Sequence, residues 1–190
     1  KEKAQPAFVT NKIFDRRADL EQGLIEVAKL GFSPVFMPEL IDLRISSHGS
    51  HSFWHYKFST PSVIMTGRTK PTNRSNKGGN VIVVVAHVPT YLSGPENIIK
   101  AKSEGLVGYA GRIPQEEFDR VLNMEDGKSV FAMDWDLLEK SKSDCIEVSD
   151  ALKHPLVIPF LGGQDRAIKY LDKHVKRFSD VSNKRFDKLV

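Results

Sequence analysis

Cysteine is nearly absent from this chain. Cys145 stands alone among 190 residues, so no intramolecular disulfide can form. That excludes a disulfide-scaffold protein. No Cys–His signature surrounds it, and it reads as a small buried hydrophobe rather than a nucleophile. Long apolar runs are also missing. Residues 81–88 fall far short of a membrane span, so no membrane partner is expected. The opening residues, Lys1 to Pro6, lead into no apolar segment of the signal-peptide kind, and the chain starts without Met. The expectation is a cytoplasmic protein, trimmed or processed at its start. Charge of one sign is not in large excess. With 28 basic and 24 acidic residues the net charge is +4, which permits phosphate or nucleic acid as a partner without demanding either. Walker, dinucleotide, RNP, KH and zinc-finger signatures are missing, as is any repeat at solenoid spacing. Cofactor and oligomeric state are left open.

What is present is the composition of an ordinary globular domain. Hydrophobic residues make up 40% and charged residues 27% of a length that suits one domain with a sizeable core. Residues 1–190 therefore read as one domain, with loose ends at 1–7 and 179–190. Its strongest element is residues 81–88, where Val81, Ile82, Val83, Val84 and Val85 stand in a row. Such a run predicts a central strand covered on both faces.

The elements follow in order. Asp15 can cap a helix running to about Leu30, with Gly31 as its left-handed stop. Residues 40–45 read as a strand, with Pro38 marking an edge or a bend. Residues 58–60 and 63–66 read as a strand with Pro61 at a break. The polar stretch 67–80 then forms a long hairpin excursion. Ser93 predicts an N-cap with Pro95 in the first turn, and that helix stops at Gly105. A short strand is expected at 106–109, a helix at 115–123, a turn at 125–127 and a strand at 130–133. A short helix at 137–141, a strand at 145–148 and one helical turn at 150–153 follow. The apolar run 156–161 reads as a strand end opening through Gly162-Gly163 into a helix over 164–178. The fold class this implies is α/β or α+β, with a mixed sheet and helices packed on it.

Two junctions suggest chemistry. Free N–H groups at a helix start attract anions, and glycine lets a ligand approach the backbone. Gly162, Gly163 and Gln164 fit that role; so do Ser93 and Gly94, less well, because Glu96 would repel an anion. The same glycines can equally make tight turns. His87, at the end of the apolar strand, is the candidate catalytic acid or base, or else a hydrogen-bonded core histidine. Arg68 or Arg112 would be the charge clamp. No metal site is assigned, but weak candidates exist. His48, His51 and His55 are spaced for one helix face, although Gly49 and the serines disfavour a helix there. Asp134 and Asp136 end a strand and can hold a divalent cation or cap the next helix. The basic loop Arg68, Lys70, Arg74 and Lys77, with Phe53, Trp54 and Tyr56 upstream, has the residue types that bind phosphates and stack bases.

The function these features suggest is an enzyme or binding domain for a small anionic, phosphorylated ligand held at strand-to-helix junctions. The alternative is a nucleic-acid-binding protein, including a metal-dependent nuclease, that uses the 68–77 loop.

Overall fold

The computed structural model describes residues 19–48, 54, 59–69, 79–107, 110–141 and 148–186. In chain order the elements are α1 (Leu20–Lys29), α2 (Met37–Ser46), β1 (Val63–Arg68), β2 (Val81–Ala86), α3 (Pro95–Ser103), α4 (Gln115–Leu122), β3 (Val130–Asp134), α5 (Trp135–Lys140), α6 (Val148–Ala151), α7 (Val157–Phe160) and α8 (Gln164–Phe186).

The row of β-branched residues does what its chemistry favours. β2 is the middle strand of a three-stranded sheet in the order β1-β2-β3. It pairs antiparallel with both neighbours: Val63 faces Ala86 on one side, and Ile82 faces Asp134 on the other. Residues 83–86 lose all contact with solvent. Period-two alternation sends Met65, Val84, Ala86 and Val130 to one face, where Phe118 and Val121 of α4 cover them. Gly67 makes room for that cover. A Cβ there would stand 2.8 Å from the Phe118 ring, so the ring lies directly on the strand backbone. α5 follows β3 and packs back on β2 and β3.

The remaining helices form two further packings. α1 lies against α3. Lys102 of α3 reaches the buried Glu21 carboxylate at 2.6 Å and Asp19 at 3.3 Å. α2, α7 and α8 enclose a second core of Ile41, Leu161 and Ala167, with Met37, Ile45, Val157 and Ile158 around it. α8 is the longest element, 23 residues or about 35 Å, and α2 packs along it.

Helices packed on a sheet in one domain match the expected class, in its α+β form, with antiparallel pairing throughout the described strands. Several element assignments change. Residues 40–45 lie in a helix, not a strand. Pro38 starts α2 in the first turn, where a missing N–H costs nothing, and the Glu39 carboxylate accepts the Phe36 N–H at 2.7 Å. The run 156–161 is also helical: α7 spans Val157–Phe160, so no strand precedes Gly162. Short apolar runs do not separate a buried strand from a buried helical turn, and both of these runs are helical. Residue 148 begins α6 rather than ending a strand, while 142–147 and Cys145 lie outside the described residues. At 106–109 there is only an isolated bridge between Val107 and Ala110. The α3 N-cap is Gly94, one residue after Ser93. Asp19 precedes α1 directly, and Asp15 lies outside the described residues. α8 continues to Phe186, past the end expected at 178.

Substituting Gly67→Ala forces a methyl group into the Phe118 ring. It is expected to lower the unfolding free energy by about 1–3 kcal/mol, the usual range for overpacking. The pair Gly67→Ala with Phe118→Leu should recover part of that loss in denaturant titrations. Purely additive losses would mean that the ring and the strand do not meet.

Candidate functional site

His87 leaves the end of β2 on the sheet face opposite α4, because it alternates with Val83 and Val85. Its ring meets Phe131 edge-on, with centroids 6.2 Å apart. The backbone N–H donates to the Ser129 carbonyl at 2.8 Å. Nε2 lies 2.8 Å from the Pro159 carbonyl oxygen, and Nδ1 lies 2.9 Å from Ser62 Oγ. A carbonyl only accepts, so Nε2 carries the proton. Nδ1 is then bare and accepts the Ser62 hydroxyl. Ser62 Oγ in turn accepts the Met37 N–H at 2.8 Å. The residue is 7% exposed. Burial pushes the imidazole below its ordinary value of 6.5; the Pro159 contact opposes this and the nearby Arg166 charge adds to it.

Two adjoining clefts surround this joint and share Lys128, Gly162 and Arg166. One, of about 370 Å³, has His87, Phe36, Pro38, Glu39 and Ser129 on its walls. The other, of about 490 Å³, is lined by Asp42, Gly163, Gln164, Asp165 and Lys169 among others. Arg166 holds the wall between α2 and α8. Its Nε and Nη2 donate to the two Asp42 carboxylate oxygens at 2.8 and 3.1 Å, and Nη1 donates to the Gly162 carbonyl. Such a planar fork fixes orientation as well as charge.

The structure places the candidate residues apart. His87, Gly162, Gly163, Gln164 and Arg166 gather at the clefts. Gly162 and Gly163 are the stop of α7 and the start of α8, with φ of 76° and 115°. Their N–H groups are used inside the turn, on the Pro159 and Ile158 carbonyls at 3.0 and 2.9 Å. A Cβ on Gly162 would stand 2.5 Å from Pro38 Cγ. These glycines let two helices close on a third, and their amides are not turned to a ligand.

Ser93 and Gly94 sit elsewhere, with neither among the lining residues of the two clefts. Ser93 Oγ accepts the Thr90 N–H at 2.9 Å. Glu117 accepts the Tyr91 N–H at 2.6 Å, and Arg120 ties Glu117 to the Pro89 carbonyl. The Arg120 guanidinium, first of all, holds the Glu117 carboxyl below its ordinary range. The Glu96 carboxylate lies over Gly94 itself. Arg68 ends β1, where its carbonyl accepts from Gln115 Nε2 at 3.1 Å, and Arg112 is exposed ahead of α4. Neither arginine clamps the His87 cleft. Asp134 and Asp136 are both exposed where β3 passes into α5. His48 is exposed beyond α2; His51, His55, Lys70, Arg74 and Lys77 lie outside the described residues. Among the described residues no group of three or more His, Cys, Asp or Glu could hold a metal. No described helix is long and apolar enough to cross a membrane.

Three contacts have little or no signal in the sequence. Ser62 and the Asp42–Arg166 fork pair residues far apart in sequence, and neither residue type is unusual at its position. Trp54 stacks on Tyr170 of α8, centroids 5.7 Å apart and planes within 2°, and donates from Nε1 to Ser47 Oγ at 3.1 Å. The Arg177 guanidinium lies 5.4 Å from its ring centroid. A tryptophan in a polar stretch is the one signal, and its ring stacks within the fold, on Tyr170, rather than standing open for a base. Asp126 lies in the turn expected at 125–127. Its Oδ1 accepts the N–H groups of Lys128, Ser129 and Val130 at 2.8, 2.7 and 3.0 Å and fixes the turn that brings Lys128 and Ser129 to the cleft.

No family model matches the chain, and no curated protein matches it. Among solved structures, one described as "Accommodation of massive sequence variation in Nanoarchaeota by the C-type lectin fold" is similar to it. The two are 43% identical with a TM-score of 0.69, and the match covers 82% of this chain and 69% of the other. That likeness overturns both functional readings of the sequence, the enzyme or binding domain for a phosphorylated ligand and the nucleic-acid-binding protein, nuclease included. The geometry gives the reason. The second strand-to-helix junction does not exist, and its glycine amides are already bonded.

The Asp126 turn makes its own prediction. Backbone N–H groups, that of Val130 first, hold its carboxyl at about 2 against an ordinary 3.8. A depressed acid stabilises the fold above its unfolded value and loses that effect as protons bind. Stability from this group should therefore be complete above about pH 4 and fade toward pH 2. Asp126→Asn should flatten that limb of the acid-denaturation curve; an unchanged limb would dismiss the turn as its source.

Proposed function

Because the chain belongs to the C-type lectin fold family, we propose that it is a binding module in which exposed cleft residues select the ligand and a fixed inner frame holds the fold. The observation that carries this reading is the 43% identity, over most of the chain, to a protein whose fold is described as accommodating massive sequence variation. The local geometry supports the same division. Groups suited to chemistry are committed to one another: His87 to Ser62 and Pro159, Arg166 to Asp42 and Gly162. Around them Lys128, Gln164, Asp165 and Lys169 are exposed on the cleft walls. Those walls carry both signs of charge. This suits a ligand recognised by shape and polar contacts rather than by net charge.

A library randomised at Lys128, Gln164, Asp165 and Lys169 tests the proposal. Substitutions at exposed sites cost about 0.5 kcal/mol or less, so most members should unfold cooperatively near the parent Tm. Selection on an immobilised target should then enrich binders that differ only at those four positions. The proposal fails if substitutions there unfold the chain as often as substitutions at His87, Gly162 and Arg166, or if selection enriches nothing.

A further inference from the structure

A sheet leaves a row of backbone groups at each edge, and the two edges here are treated differently. The His87 N–H bonds the Ser129 carbonyl, so the odd residues of β3 face β2 and the even ones face outward. At that outer edge Val130 is filled. Its N–H donates to Asp126 Oδ1 at 3.0 Å, and its carbonyl accepts the N–H groups of Asp126 and Gly127 at 3.2 and 3.1 Å. Asp134 then passes into α5. On the other edge, the Thr69 N–H bonds the Asn80 carbonyl at 3.0 Å, in line with the register in which Val63 faces Ala86 and Arg68 faces Val81. The odd residues of β1 therefore bond β2, and Ile64, Thr66 and Arg68 turn their N–H and C=O groups outward. Gln115 Nε2 reaches the Arg68 carbonyl there. Among the described residues nothing bonds the outward groups of Ile64 or Thr66. The strand also lacks the devices that blunt an edge, with no Pro, no bulge and no charge from Val63 to Gly67. Ile64 is 49% exposed on the face opposite α4.

We propose that the outer edge of β1 is a self-association surface: β1 of a second copy pairs with it antiparallel, about a two-fold axis at Thr66, and joins the two sheets into one. A two-fold axis makes one patch meet itself, so the edge has to complement its own sequence. With the axis at Thr66, the two Thr66 residues exchange both backbone bonds and stand opposite each other, a favourable cross-strand pair. Ile64 of each copy stands opposite Arg68 of the other, and the aliphatic stem of the arginine covers the exposed isoleucine. No like charges are opposed. An axis at Arg68 would set two guanidinium groups face to face, which disfavours that register. The Arg68 N–H donates to the Ile64 carbonyl of the second copy. The return bond falls on the Arg68 carbonyl, which has a second lone pair beside the one Gln115 uses. These side chains lie on the sheet face opposite Phe118, so α4 does not obstruct them. None of the residues lining the two clefts belongs to β1, so each copy keeps its own. A pair of modules binds a repeated target more tightly than one does where the spacing matches.

The pairing does not rest on what the cleft binds, and its test is made on the full chain without ligand. Sedimentation is measured from about 1 to about 200 µM protomer, with hydrogen exchange followed at both ends of that range. Dimer should form as the concentration rises. The Ile64 and Thr66 amides should exchange freely in the dilute sample and become protected in the concentrated one. The Met65 amide, bonded to Val84, should be protected in both. Thr66→Lys sets two ammonium groups opposite each other at the axis and should weaken association by about tenfold or more. Ile64→Glu places a carboxylate opposite Arg68 of the second copy and should tighten association by about two- to tenfold, whereas loss of an apolar contact alone would weaken it. Both side chains are exposed, so both variants should melt near the parent Tm. Where a variant does not fold, the concentration dependence of the parent's Ile64 and Thr66 amides decides. A chain still monomeric at about 200 µM, Ile64 and Thr66 amides protected at every dilution, a dimer indifferent to Thr66→Lys, or one weakened by Ile64→Glu would each overturn the pairing.

Discussion

A ring nitrogen that faces a carbonyl oxygen has to carry its proton, and at His87 this rule fixes the state of four elements. Nε2–H is committed to Pro159 before α8, and Nδ1 to Ser62 before β1. Ser62 passes the constraint to Met37 at the head of α2. The His87 backbone adds the turn before β3 through Ser129. Each such bond contributes on the order of 1 kcal/mol net, but leaving one buried member unpaired costs more. The joint is therefore close to all-or-none. It links the sheet core under α4 to the second core among α2, α7 and α8, which share no buried residue.

Backbone closeness makes the joint reachable. Pro38 packs on Gly162 where a side chain would not fit, so the α7–α8 turn can lie on α2. Arg166 then spans from Gly162 to Asp42 and fixes the angle between α2 and α8. Farther along α8, Trp54 lies flat on Tyr170 and bonds Ser47 at the end of α2. α8 is thus pinned along one side at three successive places. Its exposed residues Gln164, Asp165 and Lys169 stand outside those pins.

Which parts of this were legible follows from the range of the interactions. The β2 strand, the Gly31 stop, α4 and the Asp126 turn are local patterns, and residue type alone recovers them. α2 is not legible because Pro38 can mark an edge strand or open a helix, and Ser62, which accepts the N–H of Met37 at its start, is 25 residues away. α7 is not legible because six apolar residues carry too little periodicity to separate strand from helix. The expected anion site depends on that strand, since a glycine pair after a strand and one between helices look the same in sequence. His87 was noticed for a sound reason, a polar ring on a buried strand. Its partners were not visible, because Pro159 offers a backbone atom and Ser62 an unremarkable hydroxyl.

A binding module of the proposed kind needs its recognition residues to carry no packing. Here the buried contacts are made by Val84, Val121, Ile41 and Ala167, and by the His87 and Arg166 bonds. Lys128, Gln164, Asp165 and Lys169 stand on the cleft walls because the backbones of the Asp126 turn and the α7–α8 turn put them there. What those positions hold can change while the turns persist, because Asp126 binds N–H groups and the glycines supply φ, and neither depends on the neighbouring side chains. The same separation explains why motif reading found no reaction. In this arrangement the residues that look chemical are structural, and the residues to which we assign recognition look like ordinary solvated surface.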